Sequence, residues 1–143
     1  MAAGLGLAVT VSDLMAWLAL GARETNGFVV VGQWLCVATF LVVGFVAIAA
    51  VVERLDVIPE ERGLAQIDML AAIAALVLYG ISAAMRSLEL GAAAASPTPF
   101  LTAVAGLIVL IVDAGLAANM YSSREWEEIE EEPIHERHRR RRA

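Results

Sequence analysis

The sequence predicts an all-α integral membrane protein, an antiparallel up-down four-helix bundle with a short charged C-terminal tail. Hydrophobic residues make up 59% of the 143 residues and charged residues only 18%, whereas soluble proteins average about 45–50% and about 25%. The hydrophobic residues also form four segments, each near the roughly 20 residues that a helix needs to cross a bilayer. These segments are Met1–Leu20, Gly27–Val52, Ile67–Met85 and Phe100–Tyr121.

The first segment carries an aspartate, Asp13, in its apolar interior. It lacks the basic start of a secretory signal peptide, so we expect a retained helix. Ala19-Leu20-Gly21 would serve as a cleavage site, which leaves a signal peptide as the alternative. At about 1.5 Å per residue, Asp13 lies roughly 18 Å from the start of its helix and so in the outer half of the membrane.

The second segment contains Gly32 and Cys36 one helical turn apart, a spacing that allows two membrane helices to approach closely. A single cysteine cannot form an intrachain disulfide, so we interpret Cys36 as a small buried packing residue. Trp34 and, on the first segment, Trp17 lie near the outer ends of their helices, where aromatic side chains anchor a protein in the interface.

The third segment carries a stripe of small and polar residues along one face. We interpret this stripe as an inner seam of the bundle, with the lining of a cavity as the alternative. Asp68 is expected in the first turn of this helix, at the cytoplasmic edge, facing the positive end of the helix dipole. The stripe consists of Asp68, Ala72, Ala75, Tyr79, Ser82 and Arg86.

The fourth segment follows the stiff run Ser96–Pro99 and places Thr102, Gly106, Asp113 and Ala117 on one face. Asp113 lies about 10 Å from the cytoplasmic face of the hydrocarbon core. An ionisable residue at that depth is a candidate functional group. We interpret it as a structural hydrogen-bond anchor, with proton or cation handling and contact with a partner subunit as alternatives.

Basic residues predict the orientation of the bundle. An even number of spans places both termini and the central loop on one side, and the positive-inside rule makes that side cytoplasmic. We therefore expect a multi-pass protein of the cell inner membrane with a spanning domain over residues 1–121 and a cytoplasmic tail over 122–143. The opposite side holds only Arg23 and Arg86. The cytoplasmic arginines are Arg54, Arg62, Arg124, Arg137, Arg139, Arg140, Arg141 and Arg142.

Three stretches resemble a bacterial family of four-span membrane proteins, the domain of unknown function 2231. They are Gly6–Leu14 in the first helix, Leu55–Leu64 in the central loop with Arg86 closing the next helix, and Gly115–Tyr121 in the last helix. The resemblance implies the four-span shape and no activity. The chain departs from the family, because Gln66-Ile67-Asp68 and Ala117-Ala118 stand where the family has a histidine and a glycine pair.

The sequence disfavours cofactor and enzyme chemistry. Haem ligation inside a bundle needs an inward His, Met, Cys or Tyr. Both histidines, His135 and His138, lie in the tail, and we do not expect a haem site without a histidine ligand. The same absence argues against zinc and copper sites within the spans. No nucleophile–base pair, phosphate loop or dinucleotide motif is present. We therefore expect no catalytic residues, no cofactor and no bound metal.

The tail joins an acidic block, Glu125–Glu136, to a basic end. Ser122 and Glu125 fit a capping box, which predicts a separate short helix up to Pro133. Our main interpretation is a solvated charged segment. The alternative is an arm that docks on lipid headgroups or on an acidic protein surface, and nucleic-acid binding is disfavoured. The docking candidates are Trp126, Ile129, Arg137, Arg139, Arg140, Arg141 and Arg142.

These features favour a non-enzymatic protein, namely a structural or accessory subunit of a membrane assembly. Its expected partners are the lipid bilayer and further copies or other subunits of a larger complex. The alternative is a small transporter or proton-coupled carrier that uses the intramembrane aspartates Asp13, Asp68 and Asp113.

Overall fold

The computed structural model describes residues 1–18, 26–56, 62–89 and 96–131, with side chains except at residues 56 and 119–131. Within these ranges the protein is all-helical. It has four helices, which are α1 (Ala2–Leu18), α2 (Gly27–Asp56), α3 (Arg62–Ser87) and α4 (Pro97–Glu131). The predicted all-α class is confirmed for this part of the chain.

Three helices contain a segment that is long and apolar enough to cross a membrane. These segments are Gly27–Leu55, Arg62–Ser87 and Pro97–Ala118. Helix α1 is apolar but has only 17 described residues, fewer than the roughly 20 of a full span. The end of the first predicted segment, residues 19 and 20, lies outside the described residues.

The helices extend beyond the apolar segments that predicted them. Helix α2 continues to Asp56, and α3 begins at Arg62. Apolar residues mark the part of a helix suited to hydrocarbon, whereas the backbone stays helical through the polar residues on either side. The predicted position of Asp68 in the first turn of α3 is therefore wrong, because Asp68 lies beyond that turn.

Two helix starts have recognisable local causes. Asn26 caps α2, since its Oδ1 accepts a hydrogen bond from the backbone N–H of Phe28 at 3.0 Å. Helix α4 begins at Pro97, a residue suited to the first helical position because its missing N–H would have had no partner there. Three of the four residues in the run predicted to precede the fourth helix, Pro97 to Pro99, thus lie in its first turn.

The chain divides into two compact units, Met1–Asp113 and Ala114–Ala143. Helix α4 is continuous through Ser122 to Glu131. The prediction of a separate helix that starts at Ser122 is wrong, because the backbone there is already helical and needs no new cap. All side-chain contacts described below belong to the first unit.

The core of the first unit consists of aliphatic residues, one cysteine and one aromatic residue. Tyr79 of α3 is fully buried. A Cβ on Gly106 of α4 would lie 2.8 Å from Tyr79 Cε2, and a Cβ on Gly6 of α1 would also collide with this side chain. Glycine at these positions therefore makes room for the ring. The surrounding buried cluster contains Val9, Cys36, Val43, Ala75, Ala103 and Leu110.

The predicted stripe on α3 is largely its buried face, which comprises Ala65, Ala72, Ala75, Tyr79, Ser82 and Arg86. Asp68 is only half-buried. The thiol of Cys36 on α2 contacts the carbonyl oxygen of Tyr79 at 3.7 Å, as expected of a packing residue. The small residues Ala47 and Ala50 of α2 pack against Ala72, which lies nearer the N-terminal end of α3 than Tyr79 does.

Candidate functional site

A buried ion pair joins α1 to α3. The side chain of Asp13 is 0% exposed and that of Arg86 is 4% exposed. Arg86 Nη1 donates to Asp13 Oδ1 at 2.6 Å, and Nη2 donates to Asp13 Oδ2. The planar guanidinium thus binds both carboxylate oxygens, which is the geometry that gives the strongest charged hydrogen bonds between these side chains.

Further polar groups hold the guanidinium in place. Arg86 Nε donates to Ser82 Oγ at 3.1 Å, and Ser82 Oγ donates to the carbonyl oxygen of Pro99 at 2.7 Å. This chain of hydrogen bonds connects the ion pair to the first turn of α4. Three helices therefore meet through one set of polar contacts.

Gly32 places the backbone of α2 against the ion pair, which already contacts α1, α3 and α4. A Cβ at this position would lie 3.1 Å from Asp13 Oδ1 and 3.3 Å from Arg86 Nη1. Both distances are tighter than ordinary van der Waals contact, so glycine allows α2 to close over the two charges. This contact explains why a small residue is needed at position 32, which the sequence analysis identified as a site of close helix packing.

The charges of Asp13 and Arg86 compensate each other. An isolated charge in a low-dielectric interior is strongly unfavourable, whereas a paired and hydrogen-bonded charge is tolerated. Both oxygens of Asp13 have a donor, and three nitrogens of Arg86 have an acceptor. The arrangement can bind three helices together, and it leaves no carboxylate oxygen of Asp13 without a donor.

A second ionisable cluster consists of two acids, Asp68 and Asp113, instead of an acid and a base. Asp113 of α4 is 8% exposed, and its Oδ1 has no hydrogen-bond partner among the residues that the structure describes. Asp68 on α3 is the neighbouring acid that acts electrostatically on Asp113. The structure thus brings Asp68 and Asp113 together and places Asp13 in a different cluster.

The hydroxyl of Tyr79 is a third buried polar group of α3, besides those of Ser82 and Arg86. Within the described ranges it has no hydrogen-bond partner. Along α3, Asp68 and Tyr79 are separated by roughly 16 Å at about 1.5 Å per residue. The buried residues between them, Ala72 and Ala75, are apolar. The buried face of α3 therefore has no polar side chain that connects the carboxyl pair to the hydroxyl.

An open apolar groove of about 490 Å³ lies on the surface of α2 and α3. Sites for small molecules combine an apolar wall with a few polar groups that fix the orientation of the ligand. The groove has no such groups in its lining, which consists of Phe40, Leu41, Gly44, Phe45, Ala47, Ile48, Val51, Val52, Ile73 and Leu76.

The described residues contain no group of three or more His, Cys, Asp or Glu side chains that could hold a metal ion.

Two of the residues predicted to dock the tail, Trp126 and Ile129, lie on α4, in the part where only the backbone is described. The remaining docking candidates, Arg137, Arg139, Arg140, Arg141 and Arg142, lie outside the described residues.

The sequence prediction missed that Arg86 is the partner of Asp13. Part of the needed signal was present in two separate observations. Arg86 was already part of the polar stripe on α3, and it was expected on the same outer side of the membrane as Asp13. Two opposite charges at similar depth on inward faces are expected to pair.

Comparison of the chain with family models, with curated proteins and with solved structures gives no match. The resemblance to the four-span family of unknown function therefore stays a prediction.

Proposed function

We propose that this chain is a small non-enzymatic integral membrane protein that serves as a structural or accessory subunit of a membrane assembly. The observation that carries the proposal is the buried ion pair of Asp13 and Arg86. Its hydrogen bonds join α1, α3 and α4. A transport or catalytic site needs polar groups that a substrate can reach, whereas these groups are engaged in holding helices together.

The proposed architecture is an antiparallel bundle of four spans with both termini in the cytoplasm. The order of contacts supports it. Gln33 contacts Ala83 at 3.5 Å, and further along α2 a Cβ on Gly44 would contact Leu76 at 3.7 Å. Residue numbers thus rise along α2 while they fall along α3, and Asn26 at the start of α2 binds the carbonyl oxygen of Ala16 near the end of α1 at 3.1 Å.

Insertion into the bacterial inner membrane is part of the proposal. Large apolar side chains such as Phe45, Ile48 and Leu101 are 75%, 63% and 61% exposed. This exposure would be costly in water and suits the lipid-facing surface of a membrane protein. The arginines outside the apolar segments favour cytoplasmic termini under the positive-inside rule.

The accessory role is tested by the mass of the particle that contains the chain. The tagged full-length protein is extracted from its native membrane into nanodiscs at native expression level. We expect a defined complex larger than the 15.2 kDa monomer, composed of further copies or other subunits in fixed ratio. A monodisperse monomer would contradict the proposal.

A proton-coupled carrier is the second candidate, and the unpartnered Oδ1 of Asp113 favours it. The test is proton flux into liposomes that contain the purified protein. A carrier requires flux that is lost in Asp113→Asn, since that change keeps hydrogen bonding and removes the titrating group. Absence of flux in the wild-type protein contradicts the carrier and leaves the accessory role in place.

A further inference from the structure

The apolar groove on α2 and α3 is about as long as one leaflet of a bilayer is deep. Its lining on α2 extends from Phe40 to Val52, which is roughly 18 Å at about 1.5 Å per residue. The hydrocarbon core of a bilayer is about 30 Å thick, so each leaflet contributes about 15 Å. The length of the groove therefore matches a ligand that lies within one leaflet.

The shape of the groove suits a thin, flexible chain better than a helix. Its small residues, Gly44 and Ala47, are half-buried and buried, whereas its large side chains Phe45 and Ile48 are exposed. Membrane helices pack closely where small residues allow their backbones to meet, and here the large side chains hold a second helix away. A helix roughly 18 Å long also occupies roughly 1,400 Å³ or more, against about 490 Å³ for the groove.

Arg54 continues one wall of the groove along α2. Groove residues recur there at spacings of three and four, as residues on one helix face do. The same spacing leads next to Arg54, which is exposed. The neighbouring acid, Glu53, belongs to the row of Val46 and Ala50, which do not line the groove. The row that ends at Arg54 consists of Phe40, Gly44, Ala47 and Val51.

Arg62 has the corresponding position on α3. The groove residues Ile73 and Leu76 belong to a row whose earlier members are Met69, Gln66 and Arg62 at the same spacing. Arg62 is exposed as well. Each of the two helices that form the groove thus carries an arginine on its groove-lining row.

The two arginines lie beyond the same end of the groove, since residue numbers rise along α2 while they fall along α3. Ala47 and Ala50 pack against Ala72, and from there Arg54 is four to seven residues further along α2 and Arg62 ten residues back along α3. Their depths differ by roughly 5–9 Å. Long arginine side chains can reach a common level, and the headgroup layer is itself about 5–7 Å thick.

The charge at this end of the groove is available to a ligand. Neither Arg54 nor Arg62 forms an ion pair with a residue that the structure describes. A guanidinium binds phosphate through two parallel hydrogen bonds, and arginines next to a membrane span attract anionic lipid headgroups. An apolar groove of one leaflet's depth therefore ends at two cations that suit a phosphate.

We propose that the groove and its two arginines form a binding site for one anionic phospholipid. One acyl chain lies in the groove, and the phosphate binds Arg54 and Arg62. The site rests on the membrane insertion proposed above and not on the accessory role, because a monomer would bind the lipid equally well. It narrows the lipid partner of this chain from the bilayer as a whole to one class of headgroup.

Native mass spectrometry of the purified full-length protein in detergent micelles tests the headgroup. Dioleoyl phosphatidylglycerol and dioleoyl phosphatidylcholine are added in turn. We expect one phosphatidylglycerol to bind roughly 30-fold more tightly than phosphatidylcholine, the combined effect of two arginines near an anionic headgroup. The double variant Arg54→Gln with Arg62→Gln should lose this preference. The matched control, Arg139→Gln with Arg140→Gln, removes the same charge from the tail and should keep it.

A substitution within the groove tests the acyl chain. Ile48→Trp enlarges an exposed side chain of the lining, and Ile108→Trp, on α4 and outside the groove, is the matched control. The two isoleucines are 63% and 57% exposed, so both variants are expected to fold. We expect Ile48→Trp to weaken the binding of both lipids and Ile108→Trp to leave it unchanged.

The proposal is overturned if the wild-type protein binds the two lipids equally, or if the two double variants lose the preference to the same extent. It is also overturned if Ile48→Trp dissociates a dimer and leaves lipid binding unchanged, because a second copy would then occupy the groove.

Cross-linking of the wild-type protein decides where the acyl chain lies without any variant. A phosphatidylglycerol with a photoreactive group in its acyl chain is expected to label the peptide that contains residues 40–52. Labelling of α4 alone contradicts the proposal. Neither measurement requires a partner protein, so failure of the accessory role is recognised separately.

Discussion

Helix α3 carries ionisable residues in two opposite electrostatic situations. Near its C-terminal end, Arg86 forms two hydrogen bonds to the carboxylate of Asp13. Toward its N-terminal end, Asp68 interacts electrostatically with another acid, Asp113. Each cluster pairs an ionisable residue of α3 with one of another helix, α1 for Arg86 and α4 for Asp68. The comparison indicates that the role of a buried ionisable residue depends on the charge of its partner.

The largest effect is expected from breaking the ion pair. Arg86→Met leaves the carboxylate of Asp13 buried without a counter-ion, and removal of one partner from a buried pair costs about 3–5 kcal/mol. We expect a loss of this size in the free energy of unfolding in micelles. The matched control is the double variant Asp13→Leu with Arg86→Met, which removes both charges together.

The double variant decides whether the two residues are coupled. We expect it to be more stable than Arg86→Met alone, because no uncompensated charge remains. If the losses of the two single variants simply add in the double variant, the ion pair does not hold α1 to α3.

The helices could be predicted from the sequence because hydrophobic segments of membrane length are a strong signal. The inward face of α3 was equally accessible, since small and polar residues repeat at helical spacing through Ala72, Ala75 and Ser82. The partner of Asp13 was not predicted, because pairing depends on the rotation of two helices that are far apart in sequence. The packing of the Tyr79 ring was not predicted for the same reason, because the room for it is left by Gly6 and Gly106 on two other helices.

The next effect concerns packing around Tyr79, which lies between the two clusters along α3. Gly106→Ala places a methyl group against the buried ring, and overpacking of a filled core costs about 1–3 kcal/mol. Gly4→Ala is the control, because nothing lies near the added methyl group there. We expect the control to be neutral or slightly stabilising. Equal effects of the two changes in thermal unfolding would contradict the tight packing.

A smaller effect is expected at the start of α2. Asn26→Ala removes the cap of Phe28 and the hydrogen bond to Ala16, and loss of such a cap costs about 1 kcal/mol. Asn26→Ser keeps an oxygen that can cap the helix and loses only the bond to Ala16. We expect the serine variant to have an unfolding free energy between those of the wild type and the alanine variant. A serine variant as unstable as the alanine variant would show that capping contributes nothing.

The smallest effect at neutral pH is expected from Asp113→Asn, and it sharpens the comparison between the two clusters. The new amide keeps the hydrogen-bonding capacity of the side chain and removes one of two like charges, so we expect a change in the unfolding free energy within about 1 kcal/mol. The same chemical change at the other cluster, Asp13→Asn, leaves Arg86 buried without its counter-ion and should cost about 3–5 kcal/mol. Comparable losses of unfolding free energy in Asp113→Asn and Asp13→Asn would contradict the electrostatic difference between the two clusters.

The central claim is that lipid surrounds the bundle and that the two ends of α3 lie on opposite sides of the membrane. The 26 residues of α3 extend about 39 Å at about 1.5 Å per residue, more than the roughly 30 Å of the hydrocarbon core. Cysteines are introduced at Gly63 and at Ser87, two exposed positions near its ends, while the buried Cys36 serves as the unlabelled reference.

A membrane-impermeant maleimide is then applied to right-side-out and to inverted vesicles. The account predicts that the cysteine at position 63 is labelled only from the cytoplasmic side and the cysteine at position 87 only from the periplasmic side. Labelling of both positions from the same side, or recovery of the protein in the soluble fraction without detergent, would contradict it.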